Sequence, residues 1–256
     1  MRLLQISQFE TLEPRRLLAA VFPSNAEQLM VELINRARAK PATEASRFGI
    51  DLNEGLSPGT ISTSAKQPLA INPFLTDAAR KHSKWMLDND IFSHTGAAGS
   101  NPRTRMTSAG YVFGFSGSGG ENIAYRGKSS SVPELTSTTI QLHQDLFVDK
   151  DINLRGHRKN MLDNVHEEIG AGVQSGVFTT SNAVMLTTDF AYTNTSSFLT
   201  GVAFSDAITA DSFYTVGEGI AGVTITATRT TDKAVFSTTT WSSGGYSLKL
   251  SPGVYN

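Results

Sequence analysis

Chemistry in this chain has to come from histidine and carboxylate side chains, because its 256 residues include five histidines and no cysteine. Three titratable residues lie where a loop meets a regular element: His94 in Phe-Ser-His-Thr, Glu121 after Gly-Ser-Gly-Gly, and His157 in Gly-His-Arg. Side chains at such junctions can converge on a cleft. Two imidazoles and one carboxylate, with an open fourth position, would suit zinc and could activate a bound water.

Several other chemistries lack their signatures in the sequence. There is no H-E-x-x-H helix motif and no G-x-S-x-G elbow, and the glycine run before Glu121 lacks the Lys-Ser/Thr of a phosphate loop. The absence of cysteine excludes a disulfide framework and a thiolate nucleophile. The balance of 22 basic against 23 acidic residues gives no electrostatic footprint for nucleic acid. No apolar run approaches the roughly 20 residues that a membrane-spanning helix needs.

Four helices that could position these residues are predicted from capping residues and from apolar side chains at 3.6-residue spacing. The first follows the Ser24–Glu27 capping box and is expected to end at Lys40, before a proline. The second is expected to begin at Asn72-Pro73. The third is expected at 102–109, with Gly110 ending it. The fourth is expected to have Pro133 as its first residue.

Three strands are predicted at 122–125, 168–174 and 183–190, where apolar residues run together or alternate. Helices and strands mix without a regular βαβ repeat, which favours an α+β fold with an antiparallel sheet. After Tyr192 the chain becomes rich in Thr and Ser, with short alternating runs between turn signals. This change predicts a linker at 193–197 and then a small β-sandwich.

Five further residues have structural interpretations. His82 and His143 fall on the apolar faces of their helices and are expected to be core histidines, and Phe92 is expected to be a core residue. His166 adjoins two glutamates and is expected at the surface. Arg158 could clamp an anionic ligand, but packing or capping of a carbonyl is favoured.

The order of several motifs resembles the CAP superfamily of cysteine-rich secretory, antigen 5 and pathogenesis-related proteins, also called the SCP domain. The motifs are 29–38 (LMVELINRAR), 75–86, 91–94 (IFSH), 105–111, 120–124 (GENIA), 156–162 (GHRKNML), 168–172 (EIGAG) and 188–190 (TDF). They span about residues 25–192. The resemblance implies an α-β-α sandwich with a central antiparallel sheet and a large open cleft.

In that family the cleft carries two histidines and two acidic residues, which hold zinc in some members. His94, Glu121 and His157 match three of these positions. The second acid departs from the pattern, because the segment 141–149 contains no glutamate. The resemblance leaves the fourth position open among Asp149, Asp145 and His143, or leaves a three-residue site, as in bacterial members. The family has no agreed reaction, so no catalytic residue is assigned.

The first 23 residues form a leader in which 9–20 (FETLEPRRLLAA) resembles the LEPR-XLL motif of large bacterial surface proteins. That resemblance implies a secreted or surface-displayed protein. The alternative is a disordered leader that carries no address.

Residues 198–256 resemble the B-type repeats of bacterial surface adhesins, of the SdrD and collagen-adhesin group. Some such repeats bind calcium, and Asp206, Asp211 and Glu218 could do so here, although 207–209 (AIT) occupy positions where Asn or Asp is expected. The alternative is a rigid spacer. The chain ends where the alternation calls for another strand, so a truncated repeat is expected.

The sequence therefore predicts an extracellular or cell-surface protein with a CAP domain at 24–192. The resemblance suggests that its cleft binds a lipid, a glycan or a cell-wall component, with zinc as the expected metal. One alternative is a metal-dependent hydrolase of peptides or wall polymers. Another is a structural adhesin whose CAP domain is a recognition head.

Overall fold

The computed structural model describes residues 21–114, 117–193 and 197–256. The motif at 9–20 lies outside these residues. None of the helices within the described ranges has the length and apolar composition needed to cross a bilayer. The helices are α1 (Asn25–Ala39), α2 (Pro41–Arg47), α3 (Pro73–Asn89), α4 (Pro102–Ala109), α5 (Leu135–Val148) and α6 (Gly156–Leu162). The strands are β1 (Ala70–Ile71), β2 (Gly119–Lys128), β3 (Glu168–Phe178), β4 (Ser181–Ala191), β5 (Ser197–Val202), β6 (Thr224–Thr228), β7 (Val235–Thr239) and β8 (Gly245–Leu250).

Capping residues fix the ends of three helices as predicted. In α1 the Ser24 hydroxyl accepts the Glu27 N–H while the Glu27 carboxylate accepts the Ser24 N–H. The Asn72 side chain caps the first turn of α3. Gly110 ends α4 in the left-handed conformation, at a φ of 110°. These ends depend on neighbouring residues alone, which is why the sequence reveals them.

Two helix predictions need correction. Pro41 does stop α1, which ends at Ala39, but it also opens α2 as its first residue, because a proline N–H is not needed there. The fourth predicted helix begins at Leu135 rather than at Pro133, since the Glu134 carboxylate accepts the first free amides. Ile140, an apolar residue of this helix, is 42% exposed.

The central sheet has the order β1-β3-β4-β2, and β4 pairs antiparallel with both β3 and β2. The predicted antiparallel sheet is therefore correct for the three long strands. The two-residue strand β1 lies parallel to β3, so the sheet as a whole is mixed. A pairing this short leaves no apolar pattern in the sequence.

Helices cover both faces of this sheet, as the alternation along β4 shows. Val184 and Leu186 pack with α1 and α5, while Met185 packs with α3. Since side chains alternate between faces, Asp189 lies on the α3 side, directly opposite Glu121 of β2. The sheet therefore places two carboxyl groups side by side on the face that α3 and α4 cover.

Two predicted burials are wrong. Phe92 is 43% exposed and packs edge-on against Tyr125 rather than lying in the core. His166 is only 5% exposed, stacks on Phe190, and has its Nδ1 3.0 Å from the carbonyl oxygen of Asn160. The neighbouring glutamates favoured an exposed position for His166, but stacking on Phe190 of β4 buries the ring.

The C-terminal residues form two two-stranded antiparallel sheets, β5 with β8 and β6 with β7. Ser197, assigned to the linker from sequence, is the first residue of β5. This region lies against α1, because the ring of Tyr214 packs with Leu29 and Leu33. The Ser243 hydroxyl also donates to Gln28 of α1. The C-terminal region is thus in direct contact with the first helix.

Candidate functional site

Glu121 is the centre of one half of the site. Its side chain is 1% exposed, and its Oε1 lies 2.7 Å from Nδ1 of His94. Its Oε2 accepts a hydrogen bond from the Arg105 guanidinium at 2.5 Å. Arg105 also donates to the backbone carbonyls of His94 and Ser100. One buried carboxylate and one arginine therefore fix the His94 loop against β2.

Two more titratable groups lie behind this cluster. Asp189 is buried opposite Glu121, and burial, together with the neighbouring Glu121 charge, holds the pKa of its carboxyl well above the usual range. His82 of α3 is also buried, and Nε2 donates to the Ser93 carbonyl at 2.9 Å. Burial lowers the pKa of His82. Burial thus disfavours the charged form of both groups that lie behind Glu121.

Asp149 is the centre of the other half of the site. It ends α5 in the left-handed conformation, and its Oδ1 lies 2.7 Å from Nδ1 of His157. Its Oδ2 accepts the backbone amides of His157 and Arg158. The first turn of a helix has free amides, so one carboxylate both caps α6 and orients the His157 ring.

Arg158 anchors this half of the site through buried hydrogen bonds. Its side chain is fully buried and donates to the carbonyls of Leu52, Glu54, Phe147 and Val148. The favoured interpretation from sequence, an arginine that caps carbonyls, is the arrangement that the structure has.

The two halves meet at β2. Asn122, the residue after Glu121, donates from its side chain to the backbone carbonyl of His157 at 3.1 Å. The Asn160 amide of α6 donates to the side-chain oxygen of Asn122 at 2.8 Å and to the Glu121 carbonyl at 3.3 Å. These side-chain amides join α6 to the edge strand that carries Glu121.

Exposure separates the five histidines into two groups. The side chains of His94 and His157 are 51% and 21% exposed, respectively. Those of His82 and His143 are fully buried, with Nε2 of His143 held 3.0 Å from Glu44, and His166 is buried as described above. In His94 and His157 the bonded nitrogen is Nδ1, and within the described ranges Nε2 has no hydrogen-bond partner.

The structure distinguishes the residues proposed for the fourth position. Asp149 contacts His157, whereas Asp145 forms an exposed ion pair with Arg126 and His143 lies in the core. Within the described residues, no group of three or more His, Asp or Glu side chains is arranged to hold a metal ion. The described side chains therefore do not by themselves build a three-ligand metal site. Glu121 and Asp149 each hold one imidazole through its Nδ1.

The three acidic residues considered for calcium are used by their own loop. Asp206 accepts the amides of Asp211 and Ser212, and Asp211 accepts the amide of Phe213. The Glu218 carboxylate accepts three backbone amides, from Ile208, Thr209 and Thr215. Each carboxylate already has donors that hold the turn in place.

Sequence reasoning did not assign Arg105 and Asp189 to the site. Both lie within motifs that carry the family resemblance, at 105–111 and 188–190, and that is the one signal that could have singled them out. Their partner Glu121 is 16 residues from Arg105 and on a different strand from Asp189. Spacing along the chain gives no hint of either contact.

A family profile described as the cysteine-rich secretory protein family, CAP, matches residues 31–187, more than half of the 256 residues. No curated protein matches the chain. Among solved structures, an extracellular protein with an SCP domain from Bacillus anthracis is 27% identical over 50% of this chain, with a TM-score of 0.36. The chain spans only 34% of that protein.

Two other solved structures are similar over a larger share of both chains. NaASP2 with Zn²⁺ is 16% identical, covers 67% of this chain and 82% of its own, and has a TM-score of 0.44. An outer surface protein from Borrelia burgdorferi is 13% identical, covers 64% and 92%, and has a TM-score of 0.39. All three TM-scores lie below 0.5, so the family assignment rests on the sequence profile.

Proposed function

The chain belongs to the cysteine-rich secretory protein (CAP) family, and from that premise we propose that it works outside the cell as a ligand-binding protein. The site that we assign to this role carries His94, Glu121 and His157. A lipid, a glycan or a cell-wall component is the ligand class that the family resemblance suggests. Residues 198–256, proposed to be an adhesin-type B repeat, would serve as a spacer beside it.

One observation supports this assignment above the others. Of the five histidines, the two that are not buried are those whose Nδ1 is held by a buried carboxylate, at 2.7 Å in each case. This arrangement fixes the ring and leaves Nε2 as the atom that can meet a metal or a ligand. The three buried histidines, His82, His143 and His166, cannot be reached by a metal or a ligand from solvent.

A divalent metal is part of the proposal. His94 and His157 would hold it through Nε2, with Glu121 and Asp149 as the orienting carboxylates. Such a metal supplies a positive centre that polarises a bound oxygen. Two protein ligands are fewer than the three that catalytic zinc sites usually have, so we favour ligand binding over hydrolysis.

Calcium in the C-terminal region remains a prediction, and the contacts there do not favour it. Asp206, Asp211 and Glu218 already accept backbone amides. A calcium ion would have to share these oxygens with the amides or displace them.

The experiment that tests the site is zinc titration of the whole chain by calorimetry. We expect one equivalent to bind, and we expect His94→Ala and His157→Ala each to abolish it. Thr95→Ala is the matched control, since Thr95 is an exposed neighbour of His94 whose side chain is outside these contacts. No binding at micromolar zinc, or binding that survives both histidine variants, would contradict the metal site. Chelator-sensitive turnover of a peptide or wall polymer would assign the hydrolase alternative instead.

A further inference from the structure

The C-terminal region (197–256) covers one face of α1 in a close contact. The Tyr214 ring packs with Leu29 and Leu33 of α1. The backbone of β8 also approaches α1 so closely that a side chain on Gly245 would collide with Gln28. A polar group of α1 on this face is therefore shielded from water by the C-terminal region.

Glu32 lies on this face of α1, one turn after Gln28. Its Oε1 accepts a hydrogen bond from Nε2 of Gln28 at 2.7 Å, and Oε1 of Gln28 accepts the Ser243 hydroxyl of the C-terminal region at 3.2 Å. Within the described ranges Glu32 has no further donor and no ion pair, and Arg36, the cation one turn further along α1, pairs with Glu44. A carboxylate with one neutral donor and no cation is costly to bury in its charged form.

Two tyrosines of the C-terminal region, Tyr214 and Tyr246, lie near Glu32 on the other side of the contact. Burial and the nearby Glu32 charge raise the pKa of both phenols above the usual value of 10, so both stay protonated near neutral pH. Glu218 lies near Tyr214 as well, and backbone hydrogen bonds hold the pKa of its carboxyl below the usual range. Neither the tyrosines nor Glu218 therefore change their charge near neutral pH.

Glu32 itself does change its charge in this range. Burial raises the pKa of its carboxyl from 4.5 to about 7, and the Gln28 hydrogen bond lowers it by less than burial raises it. When the C-terminal region moves away, the carboxyl returns to water and to its usual pKa. The contact is therefore strongest below about pH 4.5, weakens as the pH rises to about 7, and stays weakened above that value. The difference between the two pKa values corresponds to a loss of up to about 300-fold in the docking equilibrium constant.

We propose that the C-terminal region is a pH-sensitive cover for α1, held tightly in acid and more loosely at neutral pH, with Glu32 as the group that titrates. Glu32 is only partly buried, so its proton can exchange with solvent while the chain stays folded. The proposal concerns the contact between two parts of the chain. It therefore goes beyond the proposed function and does not require the metal.

The test uses the whole chain with Trp85→Phe as the parent protein, which leaves Trp241 as its one tryptophan. Trp241 belongs to the C-terminal region and stacks on Phe22, just before α1, at a centroid distance of 5.6 Å. Its fluorescence therefore reports on docking. The α-helices of the described ranges end at Leu162, so far-ultraviolet circular dichroism reports on the CAP domain. Urea titrations followed by both signals separate undocking from unfolding.

We expect the Trp241 transition to precede the helical transition at pH 8 and to move towards it at pH 5. The docking constant fitted to the Trp241 transition should fall about 30- to 100-fold between these pH values in the parent protein. Glu32→Gln carries no charge at either pH, so the fall there should be less than about 3-fold. Glu54→Gln is the matched control, because Glu54 is exposed and lies outside the contact, and it should behave as the parent does.

Gly245→Ala supplies the reference for the undocked state. The added methyl group would collide with Gln28, so this variant should show the undocked Trp241 emission at both pH values and keep its helical signal. Docked emission in Gly245→Ala would contradict the close contact. No fall in the parent, an equal fall in Glu32→Gln, or coincident transitions at pH 8 would refute the proposal.

Discussion

In both carboxylate–histidine pairs of the site, the carboxylate oxygen lies 2.7 Å from the histidine Nδ1. The pairs differ in how far apart their two residues are in the sequence. His157 and Asp149 are eight residues apart, and the same carboxylate caps the helix that carries the histidine. His94 and Glu121 are 27 residues apart. Arg105, from α4, binds both the Glu121 carboxylate and the His94 carbonyl. One pair is made by a local segment, and the other by three separate parts of the fold.

This difference indicates how each histidine can respond to a ligand. The His157 side chain is 21% exposed and bonded to Asp149. The next residue, Arg158, anchors this segment through hydrogen bonds to the carbonyls of Phe147 and Val148. The His94 ring is 51% exposed and lies on a loop held by Arg105. His157 is therefore the more enclosed of the two histidines, and His94 is the more accessible to a ligand.

The largest expected effect comes from Arg158→Met, which would remove the buried support of the His157 side. Four carbonyls would lose their donor, and each buried group left unsatisfied costs about 1–3 kcal/mol, so we expect a loss of at least about 3 kcal/mol in the free energy of unfolding. Urea unfolding measures it. The control is Arg126→Met, which removes an exposed ion pair and should cost less than about 1 kcal/mol. If Arg158→Met lowered the free energy of unfolding no more than the control does, the Arg158 hydrogen bonds would not be what stabilises the His157 segment.

A second prediction uses Asp189, which lies opposite Glu121 on the His94 side of the site. Its pKa is raised in the folded state, so above about pH 4 the unfolded chain releases a proton that the folded chain keeps, and stability falls as pH rises. Asp189→Asn removes this contribution. The stability difference, variant minus wild type, should therefore rise with pH by up to about 1.4 kcal/mol per unit above about pH 4.

Unfolding curves at several pH values between 4 and 7 measure this slope. The slope is informative even if the buried amide has a constant cost of its own, because that cost does not depend on pH. A flat difference between the two proteins would mean that Asp189 is ionised beside Glu121.

The smallest expected effect compares two aspartates near the end of α5. Asp149→Ala removes the acceptor for two amides of α6 and should cost about 1–2 kcal/mol, as the loss of a helix cap does. Asp145→Ala removes only the exposed partner of Arg126 and should cost less than about 0.5 kcal/mol. If Asp149 orients His157, zinc affinity should also fall about 10- to 100-fold in Asp149→Ala. Equal zinc affinity in the two variants would leave Asp149 with a capping role alone.

Helix ends and long strands were readable from the sequence because their causes are local. The Ser24–Glu27 box, Asn72 and Gly110 each act within a few residues, and they mark helix ends as predicted. Strand β1 was not predicted, because its two residues are a strand only through their pairing with Glu168 and Ile169, which are far away in the sequence.

By itself the sequence was enough to determine the family and to predict three site residues, with Asp149 as one candidate for a fourth. Only the tertiary structure decided which carboxylate meets which histidine, and it added Arg105 and Asp189. It also showed that His166 is buried and that His94 is half exposed. The physical reason is distance along the chain: a cap or a turn is made by neighbours, whereas a buried charge cluster forms only when strands and helices far apart in sequence pack together.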